Sequence, residues 1–347
     1  MTADRIAFVS LGLVVLDEIH YCNREALTDV LGGSGTYATL GARLFLPPPL
    51  SRSLGWMIQA GSDFPKAIED RLTDWETTLF IEQQGGRLST RGLLEYKDTT
   101  LGPKSFRYTT PILGVQDESL ENTPLLGSKV YHYLETPQRL PGRLASLHSL
   151  RANSGITECP LIVWEPALLS CTPENLENCI AATSLVDVFS PNHLELLRLS
   201  GEQTDAVMNR GKVESLARKF LDTDVSVRKR IVIVRAGEHG CLVMASDTAP
   251  RWLPPFYRCR TGEMQHAKVV DPTGAGNAFL GAFAVGYTKT KDVVEAACYG
   301  AVGASFAVEQ VGIPNRISRT EREVWSGDEP RKRLQQYQQS LRLLSAE

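Results

Sequence analysis

The sequence has no apolar run near the roughly 20 residues a membrane span requires. No charged-then-apolar leader follows Met1-Thr2-Ala3-Asp4-Arg5. It has no excess of positive charge: 37 Lys and Arg stand against 40 Asp and Glu, a formal net charge of −3. That balance gives no electrostatic footprint for nucleic acid. The cysteines (Cys22, Cys159, Cys171, Cys179, Cys241, Cys259 and Cys298) number seven, with no C-x-x-C pair. An odd, unpatterned set argues against a disulfide framework or a structural zinc site and predicts free thiols in a reducing cytosol. The histidines (His20, His132, His148, His193, His239 and His266) show no metal-ligand spacing and are read as surface or structural residues. There is no Gly-Lys-Ser/Thr phosphate loop, no Asp-Phe-Gly, and no Ser-His-Asp arrangement at a nucleophile elbow. These absences predict a cytoplasmic chain whose partner is a small molecule, not a membrane or a nucleic acid.

What is present is an ordinary globular composition, 42% hydrophobic and 22% charged over 347 residues. Strand-like apolar runs alternate with helical segments. Ile6–Val15 reads as one buried strand, Ser53–Ala60, Val130–Leu134, Pro160–Trp164, Leu185–Ser190 and Arg230–Arg235 as others, and Cys241–Ala245 as a hairpin partner. Helices are predicted over Tyr37–Phe45, Phe64–Asp74, Pro141–Ala152, Pro173–Thr183 (with Thr172 as N-cap), His193–Ser200, Val213–Thr223, Ala278–Tyr287 and Val293–Val308. Repeated β-α units predict a three-layer α/β/α, Rossmann-like domain with a mostly parallel central sheet. Two segments, 12–30 and 78–110, break the alternation. Within them Arg91–Tyr96 and Lys104–Tyr108 read as an antiparallel patch, so the two segments are assigned to a small β lid on a single domain spanning 1–347. The charged, Gln-rich tail 328–344 reads as a peripheral solvated helix.

The strongest motif is Asp271-Pro272-Thr273-Gly274-Ala275-Gly276-Asn277, at a strand-to-helix junction. Glycines there permit a tight turn, and the helix that follows begins with unpaired N–H donors and the positive end of its dipole. Such a junction suits a phosphate or a developing oxyanion.

This string resembles the signature of the ribokinase-like (PfkB) carbohydrate kinases, roughly Asp-Thr-x-Gly-Ala-Gly-Asp followed by a small-residue helix. Other segments agree in order. Ser10–Asp17 resembles the first strand, ending in the substrate-contacting Asp17. Gly32-Gly33 resembles the first glycine signature, and Gly61-Ser62-Asp63 the Gly-x-Asp segment, where Asp63 is read as a substrate contact or a helix N-cap. Asn192-His193-Leu194-Glu195 resembles the Asn-x-x-Glu segment associated with metal and phosphate. Arg235-Ala236-Gly237-Glu238-His239-Gly240 resembles the nucleotide strand-turn, and Val311-Gly312 the closing turn near adenine. The resemblance spans about residues 6–315. It implies ATP along Arg235, Gly237, Gly240, Val311 and Gly312, and Mg²⁺ held through water by Asn192 and Glu195. It implies a catalytic loop of Asp271, Gly274, Ala275, Gly276 and residue 277. The acceptor would lie near Asp17, Gly32, Gly33, Tyr37 and Asp63. The family often dimerises through its lid, which makes a homodimer an expectation here.

Three positions depart from the pattern. The family's last signature Asp, its general base, is replaced by Asn277, as is also the case in some fungal PfkB-like proteins. An amide orients a hydroxyl but does not take its proton. That predicts a slow kinase, a base relocated to Glu165 after the Ile162-Val163-Trp164 strand, a lyase, dehydratase or cyclase on the same scaffold, or a nucleotide-binding pseudokinase. Tyr37 stands where the family places a sugar-reading Asn, which reshapes the acceptor pocket unless Tyr37 is simply core. Arg235 replaces the usual Thr and either clamps a phosphate or faces away.

Overall fold

The computed structural model describes residues 5–97, 104–204, 207–221, 229–259, 266–317 and 322–344. The readings at 1–4, at lid residues 98–103 and at helix residues 222–223 lie outside them. The strands are β1 (Phe8–Ser10), β2 (Val15–His20), β3 (Leu27–Gly32), β4 (Leu54–Gly61), β5 (Thr78–Gln84), β6 (Arg91–Tyr96), β7 (Lys104–Tyr108), β8 (Val130–Glu135), β9 (Leu161–Pro166), β10 (Val188–Phe189), β11 (Ile231–Arg235), β12 (Cys241–Ala245) and β13 (Thr248–Leu253). The helices are α1 (Ser34–Arg43), α2 (Lys66–Thr73), α3 (Leu140–Asn153), α4 (Leu176–Thr183), α5 (His193–Leu199), α6 (Arg210–Arg218), α7 (Ala275–Thr290), α8 (Val293–Ala307) and α9 (Pro330–Leu344).

One sheet runs β13-β12-β11-β10-β9-β8-β1-β4-β5, parallel from β11 through β5 and antiparallel at β12 and β13. Alternate residues feed opposite faces, as a pleated strand requires. Ile231 and Ile233 of β11 join the core under α1, α7 and α8, while Val232 and Val234 join the core under α3 to α6. This is the three-layer α/β/α arrangement that the β-α alternation predicts. A second sheet, β3-β2-β6-β7, is the small lid.

Several boundaries differ from the sequence reading, each for a local reason. Ile6–Val15 is not one strand. A Cβ at Gly12 would crowd Ser34 and Gly35, so the chain leaves the main sheet where α1 begins and re-enters the lid as β2. Leu13 N–H donates to Ser34 Oγ at 3.2 Å and Gly35 N–H to Leu13 O at 2.8 Å, which pins that exit. Residues 78–84, assigned to the lid from sequence, form β5 at the edge of the main sheet beside β4. The antiparallel pairing read for Arg91–Tyr96 and Lys104–Tyr108 is present as β6 and β7, while β6 pairs parallel with β2, which makes the lid mixed. Thr172 makes no capping bond; Pro173–Asn175 forms a 3₁₀ turn and α4 starts after it. Among the described residues no helix is long and apolar enough to cross a membrane.

Candidate active site

The order of the main sheet reverses at β1, which lies between β8 and β4. A crevice opens at the carboxyl ends of the strands in such a sheet. Ser10, Glu165 and Arg235 stand at or next to those ends on β1, β9 and β11, and His132 lies within β8.

The loop before α7 is shaped by Asp271. Its Oδ1 accepts from Thr273 N–H at 2.9 Å and from Thr273 Oγ1 at 2.6 Å, which turns the chain toward the helix. Gly274 then takes the left-handed conformation, φ 75°, as the N-cap of α7. A side chain there is strained, and a Cβ would also overlap the Tyr37 ring. A Cβ at Gly276 would overlap the Arg235 guanidinium. The two glycines thus let an aromatic ring and a cation approach the first turn of α7.

Asn277, in that first turn, donates its side-chain amide to Glu165 Oε2. Glu165 Oε1 pairs with Arg235 Nη1 at 2.6 Å, and His132 Nε2 lies 3.6 Å from Glu165 Oε2. Behind them, Ser10 Oγ and His132 Nδ1 are 2.9 Å apart. Ser10, His132, Glu165 and Arg235 are all buried. Burial alone would raise the Glu165 carboxyl, but the Arg235 charge and His132 outweigh it and hold the group below its ordinary range. The order Ser-His-Glu has the appearance of a hydrolase triad. Ser10 is fully buried, however, so its hydroxyl is closed to substrate and the string works as a support for Glu165. His132 carries no sequence signal beyond being the one basic residue in the apolar strand β8.

Asn192 and Glu195 close a reciprocal cap on α5. Asn192 Oδ1 accepts Glu195 N–H at 2.8 Å, and Glu195 Oε2 accepts Asn192 N–H at 2.7 Å. Burial pushes the Glu195 carboxyl up to about 7; Arg235, 3.7 Å away, opposes this less effectively than it does at Glu165. Between about pH 4.5 and 7 the folded chain therefore retains a proton that the unfolded chain has released. Stability contributed by that proton is complete at lower pH and falls as pH rises through the window, by at most about 1.4 kcal/mol per unit. Glu195→Gln keeps the cap geometry and is expected to flatten the fall, read as the Tm difference between variant and wild type across pH 4.5–7.5. A constant difference would place the titration elsewhere.

Gly237 is at φ 55° with nothing within 4 Å of where a Cβ would stand, an open ledge after β11, whereas Gly240, at φ 87°, turns tightly against the Leu253 carbonyl. Asp17 of β2 is buried between Gly32 of β3 and Gly92 of β6, and a Cβ at either glycine would overlap its carboxylate. Gly33, at φ 94°, caps α1. Asp63 is not a helix N-cap; Pro65 holds that place. Asp63 accepts from Ser89 N–H and Arg91 Nε, each at 2.7 Å, and Arg91 reaches Asp29 of β3 at 2.8 Å. Its carboxylate ties the end of β4 to the lid. Val311 and Gly312 contact the lid too: Val311 packs on Ile19, Leu94 and Tyr96, and Gly312 lies beside Val30. Tyr96, which the motifs do not flag, hydrogen-bonds Asp271 and stacks on Tyr21, so the lid touches the Asp271–Asn277 loop directly. Among the described residues no group of three or more His, Cys, Asp and Glu side chains converges on a metal position.

Residues 25–318 match the pfkB family of carbohydrate kinases. An uncharacterized protein of Schizosaccharomyces pombe is 30% identical over 97% of this chain and 94% of its own. Protein MAK32 of Saccharomyces cerevisiae is 28% identical over 94% of this chain and 90% of its own. Among solved structures, a chain assigned as ribokinase II of Escherichia coli, in complex with ATP and Mg²⁺, superposes with a TM-score of 0.64 at 15% identity. It covers 96% of this chain and 99% of its own. Ribokinase-like architecture and family match agree: the chain belongs to the pfkB family of carbohydrate kinases.

Proposed function

We propose that this chain transfers the terminal phosphoryl group of ATP to a hydroxyl of a small metabolite, at a rate limited by the missing carboxylate at residue 277. The reading takes residues 1–347 as one unit, with the nucleotide along Arg235, Gly237, Gly240, Val311 and Gly312. The acceptor lies beneath the lid near Asp17, Gly32, Gly33 and Tyr37, with Asp63 bracing that lid. Asp271, Gly274, Ala275, Gly276 and Asn277 form the catalytic loop.

One observation carries this reading. The Asn277 amide nitrogen is committed to Glu165 beside the glycine cradle of α7. The amide oxygen is then the group turned to an incoming hydroxyl, which it orients without deprotonating. Glu165 stands one hydrogen bond behind, ionised and braced by Arg235 and His132. Backbone donors of the loop and the dipole of α7 stabilise charge on the transferring group. Phosphoryl transfer has a loose transition state, so positioning and electrostatics sustain a rate even without a base.

The family pattern includes Mg²⁺ held through water by Asn192 and Glu195. Here each side chain accepts from the other residue's backbone N–H, and Glu195 faces a guanidinium. The residues present do not fit the ion, and no step is assigned to it.

The test is ADP release and ³¹P detection of product with ribose, adenosine and other hydroxylated metabolites. Acceptor-dependent turnover below the usual kinase range of about 1–100 s⁻¹ is expected. Binding of ATP with no turnover for any acceptor would make the chain a pseudokinase and overturn the proposal.

A further inference from the structure

We infer that Arg235 is a built-in counter-charge for the nucleotide phosphates, so that the cleft binds them without Mg²⁺. The inference rests on the phosphotransfer reading above and concerns the cation requirement of that same site.

Arg235 ends β11 and is 9% exposed. Its guanidinium lies against the first turn of α7, in the space that a Cβ on Gly276 would fill. Any anion held by that helix terminus is therefore held next to a fixed positive charge. Nη1 contacts Glu165 Oε1 at 2.6 Å and Nη2 donates to Ser190 O at 2.8 Å. Nε is buried with no partner. A guanidinium carries five N–H donors, so donor capacity remains on a side chain that has already lost its water. Glu165 is ionised and faces the guanidinium through Oε1 alone, since Oε2 accepts from Asn277 and lies beside His132, so the carboxylate leaves the other edge of the guanidinium uncovered.

The carboxylate available to a water-held Mg²⁺ is compromised by the same side chain. Glu195 Oε2 accepts from Asn192 N–H at 2.7 Å and lies 3.7 Å from Arg235 Nη2. A divalent ion there would sit against a guanidinium that cannot deprotonate. Arginine also matches phosphate geometry with paired donors, so it supplies orientation as well as charge. A threonine at this position, as the family resemblance implies is usual, would provide neither effect.

The experiment measures ATP and tripolyphosphate binding to the full chain by calorimetry, with excess Mg²⁺ and with EDTA. Wild type is expected to bind ATP within about threefold under the two conditions. Arg235→Thr is expected to lose about tenfold or more in EDTA and to recover with Mg²⁺. Arg235→Thr leaves Glu165 without its counter-ion, so Arg235→Thr/Glu165→Gln, which removes both charges, serves as the second variant. The wild-type comparison needs no variant. ATP binding by wild type only with Mg²⁺ overturns the inference and leaves the phosphotransfer reading standing. EDTA-insensitive binding of tripolyphosphate without ATP binding supports Arg235 as the anion site and overturns the phosphotransfer reading. Absence of binding to either probe overturns both.

Discussion

The double variant Asn277→Asp/Glu165→Gln is expected to hydrolyse ATP on the order of 10²-fold faster than wild type, and to gain similarly with its acceptor. The family resemblance puts the proton-accepting carboxylate at residue 277. In this chain the nearest carboxylate is Glu165, which holds the Asn277 amide. Asn277→Asp alone would set two carboxylates against each other. Two such groups cannot both ionise freely, and one pKa rises. The single variant is therefore expected to gain less in rate and to lose Tm at neutral pH. The double variant exchanges amide and carboxylate: the new amide at position 165 donates, the new carboxylate at position 277 accepts, and the number of negative charges is unchanged. Arg235 keeps the Ser190 carbonyl and its approach to Glu195. ATP hydrolysis and Tm for wild type, the single and double variants and Asn277→Ala decide the matter. Equal rates in all four would remove residue 277 from the reacting centre, and with it the placement of the catalytic loop.

The alternation of strands and helices is legible in the sequence because burial on both faces writes continuous apolar runs into strands such as Ile231–Arg235. Periodicity cannot tell which sheet a strand joins. Thr78–Gln84 looks like the lid strands that follow it, yet it pairs with β4 in the main sheet. Nor does it show where a run must break: the exit at Gly12 is set by the approach of Ser34 and Gly35, far along the chain. The site divides in the same way. Local signatures mark Asp271–Asn277 and Asn192–Glu195, since backbone turns and caps are built from neighbours. The partner of Asn277, Glu165, comes from β9, and that residue's own neighbours Arg235 and His132 from β11 and β8, so only their spatial meeting gives them meaning. For Arg235 the sequence left two orientations open, and the structure shows a third arrangement: a side chain bonded inward to Glu165 that still borders the anion loop. Asp63 resembles a ligand contact or a cap; Pro65 holds the cap position, and the salt bridge of Asp63 to Arg91 joins the end of β4 to β6.

Gly281→Ala is expected to lower Tm by about 4 °C or more, while Gly142→Ala raises it by about 1 °C. Gly281 lies where α7 crosses α1. A Cβ there would overlap the Ala38 carbonyl, and one at Gly41 would overlap the Ala278 carbonyl, so the seam is closed from both sides by backbone. On the far face Gly303 of α8 also packs closely, its Cβ position 2.6 Å from Ala282 Cβ. Overpacking a core usually costs about 1–3 kcal/mol. Obstacles made of backbone cannot change rotamer, which puts Gly281 at or above the top of that range. Gly142 is the opposite case. It is exposed in α3 with open space around it, so a methyl group gains about 0.5–1 kcal/mol of helix propensity against no obstacle. The seam also positions chemistry, since α7 carries Gly274 to Asn277 at its start and any shift along α1 carries Asn277 away from Glu165. Gly281→Ala should thus weaken ATP binding at temperatures where the variant is still folded, and Gly142→Ala should not. Matching Tm changes at the two positions would show that α1 and α7 have room to separate, and that the Asp271–Asn277 loop is not held by their contact.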